Sequence, residues 1–243
     1  MKRIALDETD STNRYAKALP ADESRELTLV TAEFQEAGRG AGTNKWESER
    51  SKNLLFSIIA YPQQLLANQM FALSEVTALA IWDVLNSYAN GFQIKWPNDI
   101  YYGDKKAVGM LIENDLQGKC VRRSVIGVGV NINQTVFLSD APNPVSLAQI
   151  LGREEDRNQV LDRIMQQFTY YYGMMEKEQY AELHNLYMQH LYRKGELHCY
   201  SDDKGTFVAR IIDVEPSGHL ILEDENKEQR RYAFKDVMFI IEH

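Results

Sequence analysis

Cysteine is nearly absent: Cys120 and Cys199 are the two in 243 residues. Two cysteines cannot build a disulfide framework in a chain of this size, so a reducing, cytoplasmic setting is expected. Long apolar runs are also missing. No stretch approaches the ~20 residues that a membrane-spanning helix needs, and the N-terminus turns acidic at Asp7-Glu8 before any signal-length apolar run appears. Positive charge is short as well. A formal charge of −8 argues against a general nucleic-acid binder, which presents a basic surface. Histidine offers no metal spacing: His184 and His190 are six apart, not the three or four that share a helix face, so no protein-built metal site is expected. The chain has no internal repeat and no low-complexity tract. It has no G-x-x-x-x-G-K-[ST] phosphate loop, and Thr43 stands where the dinucleotide motif G-x-G-x-x-G would need its third glycine.

The remainder is the composition of an ordinary globular protein, 44% hydrophobic and 26% charged. Its length suits one large domain, or one large and one small. Ile4 to Leu6 is a short apolar run before Asp10-Ser11-Thr12-Asn13, whose side chains suit the start of a helix. Leu27–Thr31 and Leu54–Ala60 read as strands. Apolar residues at helical spacing fill 70–88, and helices are expected over 158–172 and 180–191. Phe92–Trp96 and Ala107–Glu113 read as neighbouring strands joined by a turn at Gly103-Asp104, and 124–132 as another strand. After Arg193-Lys194-Gly195 the pattern shifts to short strands at 197–200, 207–214, 219–222 and 232–241, split by polar turns and the charged run 223–231. The expected class is α+β: a mixed sheet with flanking helices over 1–193, then a small β module over 194–243.

Two segments carry chemistry. One is Gln35-Glu36-Ala37-Gly38-Arg39-Gly40-Ala41-Gly42-Thr43-Asn44-Lys45-Trp46, where glycines let backbone N–H groups approach an anion, Arg39 can grip it, and Trp46 offers a flat apolar face. The other is Lys95-Trp96-Pro97-Asn98-Asp99 with Lys105-Lys106-Ala107-Val108-Gly109, which places lysines and a carboxylate within a dozen residues. Arg39, Lys45, Lys95, Lys105 and Lys106 together make a local basic cluster on an acidic chain. Each piece also has a plain structural reading. A glycine-rich loop is usually a turn, Trp-Pro-Asn-Asp reads as a strand end and turn, and Gly127-Val128-Gly129 reads as a bulged strand. The combined inventory suits chemistry on an acyl phosphate or a nucleotide.

Taken in order, Asp10-Ser11-Thr12-Asn13, Gln35-x-x-Gly38-Arg39-Gly40, Trp46, Lys95-Trp96-Pro97-Asn98-Asp99, Lys106-x-x-Gly109-x-Leu111-x-Glu113 and Gly127-x-Gly129-x-Asn131 resemble the catalytic domain of the biotin protein ligases, the biotin–[acetyl-CoA-carboxylase] ligases. The resemblance runs from Asp10 to Asn131 and continues more weakly through the C-terminal module, which looks like that family's SH3-like domain. It implies a two-step reaction: biotin and MgATP give biotinyl-5′-AMP and pyrophosphate, and a lysine of a biotin carboxyl carrier protein then takes the biotinyl group. Carried over by motif, Ser11, Thr12 and Gln35 would hold the biotin ureido group, with the strand backbone from Gly109 to Leu111 lining its pocket and Asn13 among the binding residues. Trp46 would stack on adenine and Asn131 would bind its edge. Gly38, Arg39, Gly40, Lys95, Asn98 and Gly129 complete the binding set. Lys106 and Arg39 would neutralise phosphate charge, and Asp99 would orient the incoming amine or take its proton. Mg²⁺ would bridge phosphates with few protein ligands. The segment 35–51 is expected to order only when ligand arrives.

Two departures from the family pattern stand out. Ala41 and Asn44 replace arginines that many members carry, which implies a weaker hold on the adenylate unless Lys45 compensates. The motif at Asp10 starts almost at Met1, which implies no N-terminal DNA-binding domain, no repressor role and no DNA partner; the protein is expected to be a monomer or a homodimer. Three other readings compete. A lipoate or octanoate transferase would lack Lys-Trp-Pro-Asn-Asp. A biotin sensor without catalysis would need no phosphate grip. A nucleic-acid module is disfavoured by the acidic turns Asp202-Asp203 and Glu223-Asp224-Glu225.

Overall fold

The computed structural model describes residues 1–21, 24–40, 42, 44–138 and 143–241. Seven strands form the main sheet: β1 (Lys2–Thr9), β2 (Thr28–Gln35), β3 (Leu54–Ala60), β4 (Phe92–Lys95), β5 (Asp99–Tyr102), β6 (Lys105–Gln117) and β7 (Cys120–Val130). Their order across the sheet is β1-β2-β3-β7-β6-β5-β4. β1 and β2 run parallel and every other pair is antiparallel, so the sheet is mixed. β3 is buried along its whole length, as expected for a central strand covered on both faces.

Alternation along β3 explains the layers. Leu54, Phe56, Ile58 and Ala60 join the larger core beneath α2 (Ala72–Tyr88), α4 (Arg157–Glu176) and α5 (Tyr180–Gln189). Ile59 belongs to a smaller cluster with Ala16 of α1 (Thr12–Ala18) on the opposite face. Ser57 shares the α1 face but is polar, because it bonds α1 rather than packing beneath it. The C-terminal segment forms a second sheet from β8 (His198–Asp202), β9 (Gly205–Val214), β10 (Leu220–Asp224), β11 (Gln229–Tyr232) and β12 (Met238–Phe239), ordered β11-β10-β9-β8-β12. Its core residues, fully buried Tyr200 among them, are continuous with the larger core of the main sheet.

The sequence reading needs three corrections. Phe92–Trp96 and Ala107–Glu113 are not neighbours, because β5 lies between β4 and β6. β5 is four residues long, and its buried Ile100 and Tyr101 are adjacent, so it shows no alternation to betray it. A short helix α3 (Leu147–Leu151) was not foreseen, although Ser146 and Gln149 form a reciprocal capping box and Gly152 closes it in the left-handed region. The charged run 223–231 is not a plain turn: Gln229–Arg231 pair with β10, and the strand expected over 232–241 reduces to β12. Among the described residues no helix is long and apolar enough to cross a membrane.

A polar contact ties α2 and α5 to the second sheet. His184 on α5 bonds Glu75 of α2 through Nδ1 at 2.8 Å and Asp213 of β9 through Nε2 at 2.9 Å. Burial pushes the Glu75 carboxyl above its usual value, against the pull of the imidazole. The hydrogen bond that the imidazole donates to Glu75 raises His184 above its ordinary 6.5. Both groups hold protons more tightly when folded, so this contact stabilises most below the ordinary histidine value and fades as pH rises through the raised one. Replacing His184 with alanine leaves Glu75 buried without its partner and is expected to cost on the order of 2 kcal/mol. Denaturant unfolding of both proteins at several pH values checks this; the gap should narrow from about pH 6.5 upward.

Candidate active site

The site sits on the α1 face of the main sheet, where glycines clear the surface. A Cβ at Gly127 would lie 2.2 Å from Asn13 Oδ1, one at Gly109 2.8 Å from Trp46 Cζ3, and one at Gly129 2.3 Å from Trp46 Cε2. Glycine is therefore needed at these strand positions for close approach rather than for backbone freedom. The bared strip accepts Asn13 from the start of α1 and Trp46 from the loop after β2.

That loop is a hairpin. Gly40 donates to the Asn44 carbonyl at 2.8 Å, Trp46 donates to the Gly38 carbonyl at 3.0 Å, and Arg39 and Lys45 face each other across an antiparallel bridge. Gly38 sits against the backbone of Trp46, where a Cβ would meet its carbonyl at 2.5 Å. Ala41 and Thr43 lie outside the described residues, so the alanine departure has no structural account.

At one end of the strip is a closed polar network. Gln35 Oε1 accepts from the Thr12 amide at 2.7 Å and from its hydroxyl at 3.1 Å. Ser57 donates to Thr12 Oγ1 or Asn13 Oδ1, at 2.8 and 2.7 Å. Asn13 Nδ2 donates to the Leu111 carbonyl and to Glu113 Oε2, both at 3.1 Å. Glu113 also draws Lys17 to 3.0 Å and Arg39 to 3.9 Å. Ser11 holds the N-cap position of α1 and is buried, yet makes no side-chain capping bond.

At the other end are the charges. Lys106 Nζ pairs with Asp99 Oδ1 at 2.7 Å across the β5–β6 hairpin. Two of the three sequence-predicted catalytic groups are thus each other's partners, and the carboxylate fixes the ammonium in place. Lys95 points the same way but is mostly buried against the rings of Phe239, at 4.4 Å, and Tyr101, at 5.2 Å. Burial pushes its ammonium below the ordinary lysine value, partly offset by Asp99. Asn98 braces the turn before β5: its carbonyl accepts from Met110, and its side-chain amide donates back to the Met110 carbonyl.

These residues enclose one cavity of about 180 Å³. Ser11, Thr12, Asn13, Gln35, Arg39, Gly40, Trp46, Lys95, Asn98, Asp99, Lys106, Gly109, Leu111 and Gly129 all line it. Two expected residues do not. Gly38 supports the hairpin from behind. Asn131 follows β7, its amide 3.5 Å from the Lys106 carbonyl and its Oδ1 buried with no hydrogen-bond partner among the described residues. The Trp46 indole N–H is likewise buried and unpartnered among the described residues. Sequence reasoning missed Phe234, a cavity wall supplied by the C-terminal module. It lies more than a hundred positions from the other motifs, and nothing in its local sequence marks it. Ser57 was also missed. Its signal was there, a lone polar residue within the apolar run Leu54–Ala60.

A mixed sheet with a glycine-cleared face, an arginine-bearing glycine hairpin and a lysine–carboxylate pair thus meet in one cavity, an arrangement suited to an acyl-activating ligase. Comparison with known proteins agrees. Residues 5–131 match the model of the biotin/lipoate A/B protein ligase family, and the chain belongs to that family. It is 30% identical over 237 residues to the bifunctional ligase/repressor BirA of Bacillus spizizenii, covering 95% of this chain and 72% of the relative. It is 30% identical over 200 residues to the biotin–[acetyl-CoA-carboxylase] ligase of Paracoccus denitrificans, covering 79% and 81%. The fold superposes on a biotin protein ligase from Aquifex aeolicus in complex with biotin and ATP, with a TM-score of 0.79 and 23% identity over 98% of this chain and 97% of the other. Against the Leishmania major ligase in complex with biotinyl-5-AMP the TM-score is 0.67 at 21% identity, over 96% and 98%.

The hairpin is held by few backbone bonds and buries little besides Trp46, so its opening is expected to cost little without ligand. Hydrogen exchange of the Gly40 and Trp46 amides should slow at least about tenfold when biotin and ATP are added together. Equal protection in both states would contradict ligand-induced ordering.

Proposed function

We propose that this chain is an ATP-dependent biotin protein ligase that forms biotinyl-5′-AMP and passes the biotinyl group to a lysine of a biotin carboxyl carrier protein. The observation that carries this reading is the Lys106–Asp99 pair at 2.7 Å in the same cavity as the Thr12–Gln35 network and the Trp46 indole. One end of the cavity offers neutral donors and acceptors for a ureido group. The other offers cations for phosphate. The indole N–H is a buried polar atom, without a hydrogen-bond partner among the described residues, that a nucleobase would satisfy.

In the first step a carboxylate oxygen of biotin bonds to the α-phosphorus of ATP, the bond to the β-phosphate bridge breaks, and pyrophosphate leaves. Lys106 faces the oxygens on which charge builds, held there by Asp99. Arg39, half-exposed at the rim and only loosely paired with Glu113, can swing to the same phosphate. Mg²⁺ enters with ATP as part of the substrate, bound by phosphate oxygens and water. In the second step the amine of the acceptor lysine bonds to the acyl carbon, the carbon–oxygen bond to phosphate breaks, and AMP leaves. Asp99 takes the proton released from the amine. Residues 1–193 carry the catalysis and 194–243 form the SH3-like module. A cytoplasmic location, the absence of a DNA partner and a monomeric or homodimeric state belong to the same reading.

Biotin-dependent exchange between ATP and pyrophosphate tests the function. Exchange with biotin, and little with lipoate or without an acid, is expected; exchange with lipoate alone would move the chain to the lipoate side of the family. Replacing Lys106 with alanine should lower the exchange rate roughly 10²-fold or more with the thermal midpoint near native. Arginine at this position should restore it only in part, because a planar fork replaces a compact charge. Near-native exchange in the alanine variant would remove Lys106 from the chemistry.

A further inference from the structure

The C-terminal module reaches the active site through one turn, Ala233-Phe234-Lys235-Asp236. The turn is closed by the Asp236 amide donating to the Ala233 carbonyl and the Ala233 amide donating to Asp236 Oδ2, both at 3.1 Å. It is pinned to the catalytic domain by Trp96. That indole is 2% exposed, donates to the Gly218 carbonyl at 2.9 Å, and meets the Phe234 ring edge-on at 6.4 Å. Phe234 thereby becomes a wall of the cavity.

The next residue, Lys235, sits at φ 75°, in the left-handed region that a lysine rarely adopts. Such an outlier persists where its surroundings hold it, and it often marks a functional contact. Its ammonium reaches across to the tip of the glycine hairpin. A Cβ at Gly42 would lie 2.1 Å from Lys235 Nζ and 3.2 Å from its Cε, so the lysine fills the space that a side chain at 42 would take. Among the described residues, no carboxylate comes within 4.0 Å of this ammonium.

We propose that Lys235 is a positioning residue that clasps the hairpin at Gly42 from outside, so that the C-terminal module helps to retain the adenylate. The proposal rests on the adenylate-forming function above. Its ligand chemistry is that of a phosphate anhydride held under the hairpin between Arg39 and Lys106. The ammonium brings positive charge to the hairpin tip and holds Gly42 down, and both effects oppose escape of the intermediate. The side chain is exposed yet lies over the hairpin at Gly42.

Two measurements on the native chain, Lys235→Ala, Lys235→Arg and Lys235→Ala combined with Ala41→Arg test the clasp. The first is hydrogen exchange of the Gly40 and Trp46 amides without ligand. Loss of the lysine should speed it about tenfold, and arginine at 235 should restore it. The second is release of labelled adenylate, read also as diffuse labelling of a non-carrier protein. Lys235→Ala should release roughly tenfold faster with the KM for biotin unchanged, and adding Ala41→Arg should recover retention. Native exchange and native release in Lys235→Ala would overturn the proposal. The exchange measurement decides the clasp even in a preparation that makes no adenylate, whereas absence of adenylate from the native chain would sink the functional reading instead.

Discussion

Everything at the site depends on three missing side chains. Gly109, Gly127 and Gly129 leave a bare strip across β6 and β7, and every approach to that strip is closer than a Cβ would tolerate. Asn13 can span from Ser57 to Glu113 only because Gly127 is flat beneath it. Trp46 can lie against the sheet only because Gly109 and Gly129 are flat beneath it. One side chain from a helix and one from a hairpin are thus brought to a single plane, the polar end on one side and the charged end on the other. An interior so closely packed transmits even one added methyl group.

The second constraint is electrostatic. Lys95, Asp99 and Lys106 gather two cations around one carboxylate in a partly buried site. Burying the second ammonium costs free energy that one carboxylate offsets only in part, and burial accordingly pushes Lys95 below the ordinary lysine value. The partners are fixed beforehand by the short β5–β6 hairpin and by Asn98, so little reorganisation remains for the moment of reaction.

The sequence revealed the site better than it revealed the fold around it. Gly-Arg-Gly, Trp46 and Lys-Trp-Pro-Asn-Asp are local motifs whose spacing survives folding, and nearly all of their expected residues meet in one cavity. Long periodic elements were also legible: β3 spans the expected Leu54–Ala60, and α2 covers most of 70–88. β5 was not, because four residues with adjacent buried positions carry no period. α3 was missed because its signal is a capping box over five residues, too short for a periodic pattern. Asn131 was carried over as an adenine contact on its motif alone, and the fold sets it against the Lys106 carbonyl rather than in the cavity wall. Phe234 and the His184 link to β9 depend on where the C-terminal module docks, a long-range fact with no local trace.

Calorimetric titration of biotin and of ATP into Gly127→Ala and Gly129→Ala, each checked for a native-like thermal transition, tests the glycine-cleared face most directly. A methyl at 127 should push Asn13 aside and weaken biotin at least about tenfold while leaving ATP nearly unaffected. A methyl at 129 should displace Trp46 and do the reverse. Native affinities for both ligands in both folded variants would contradict the account.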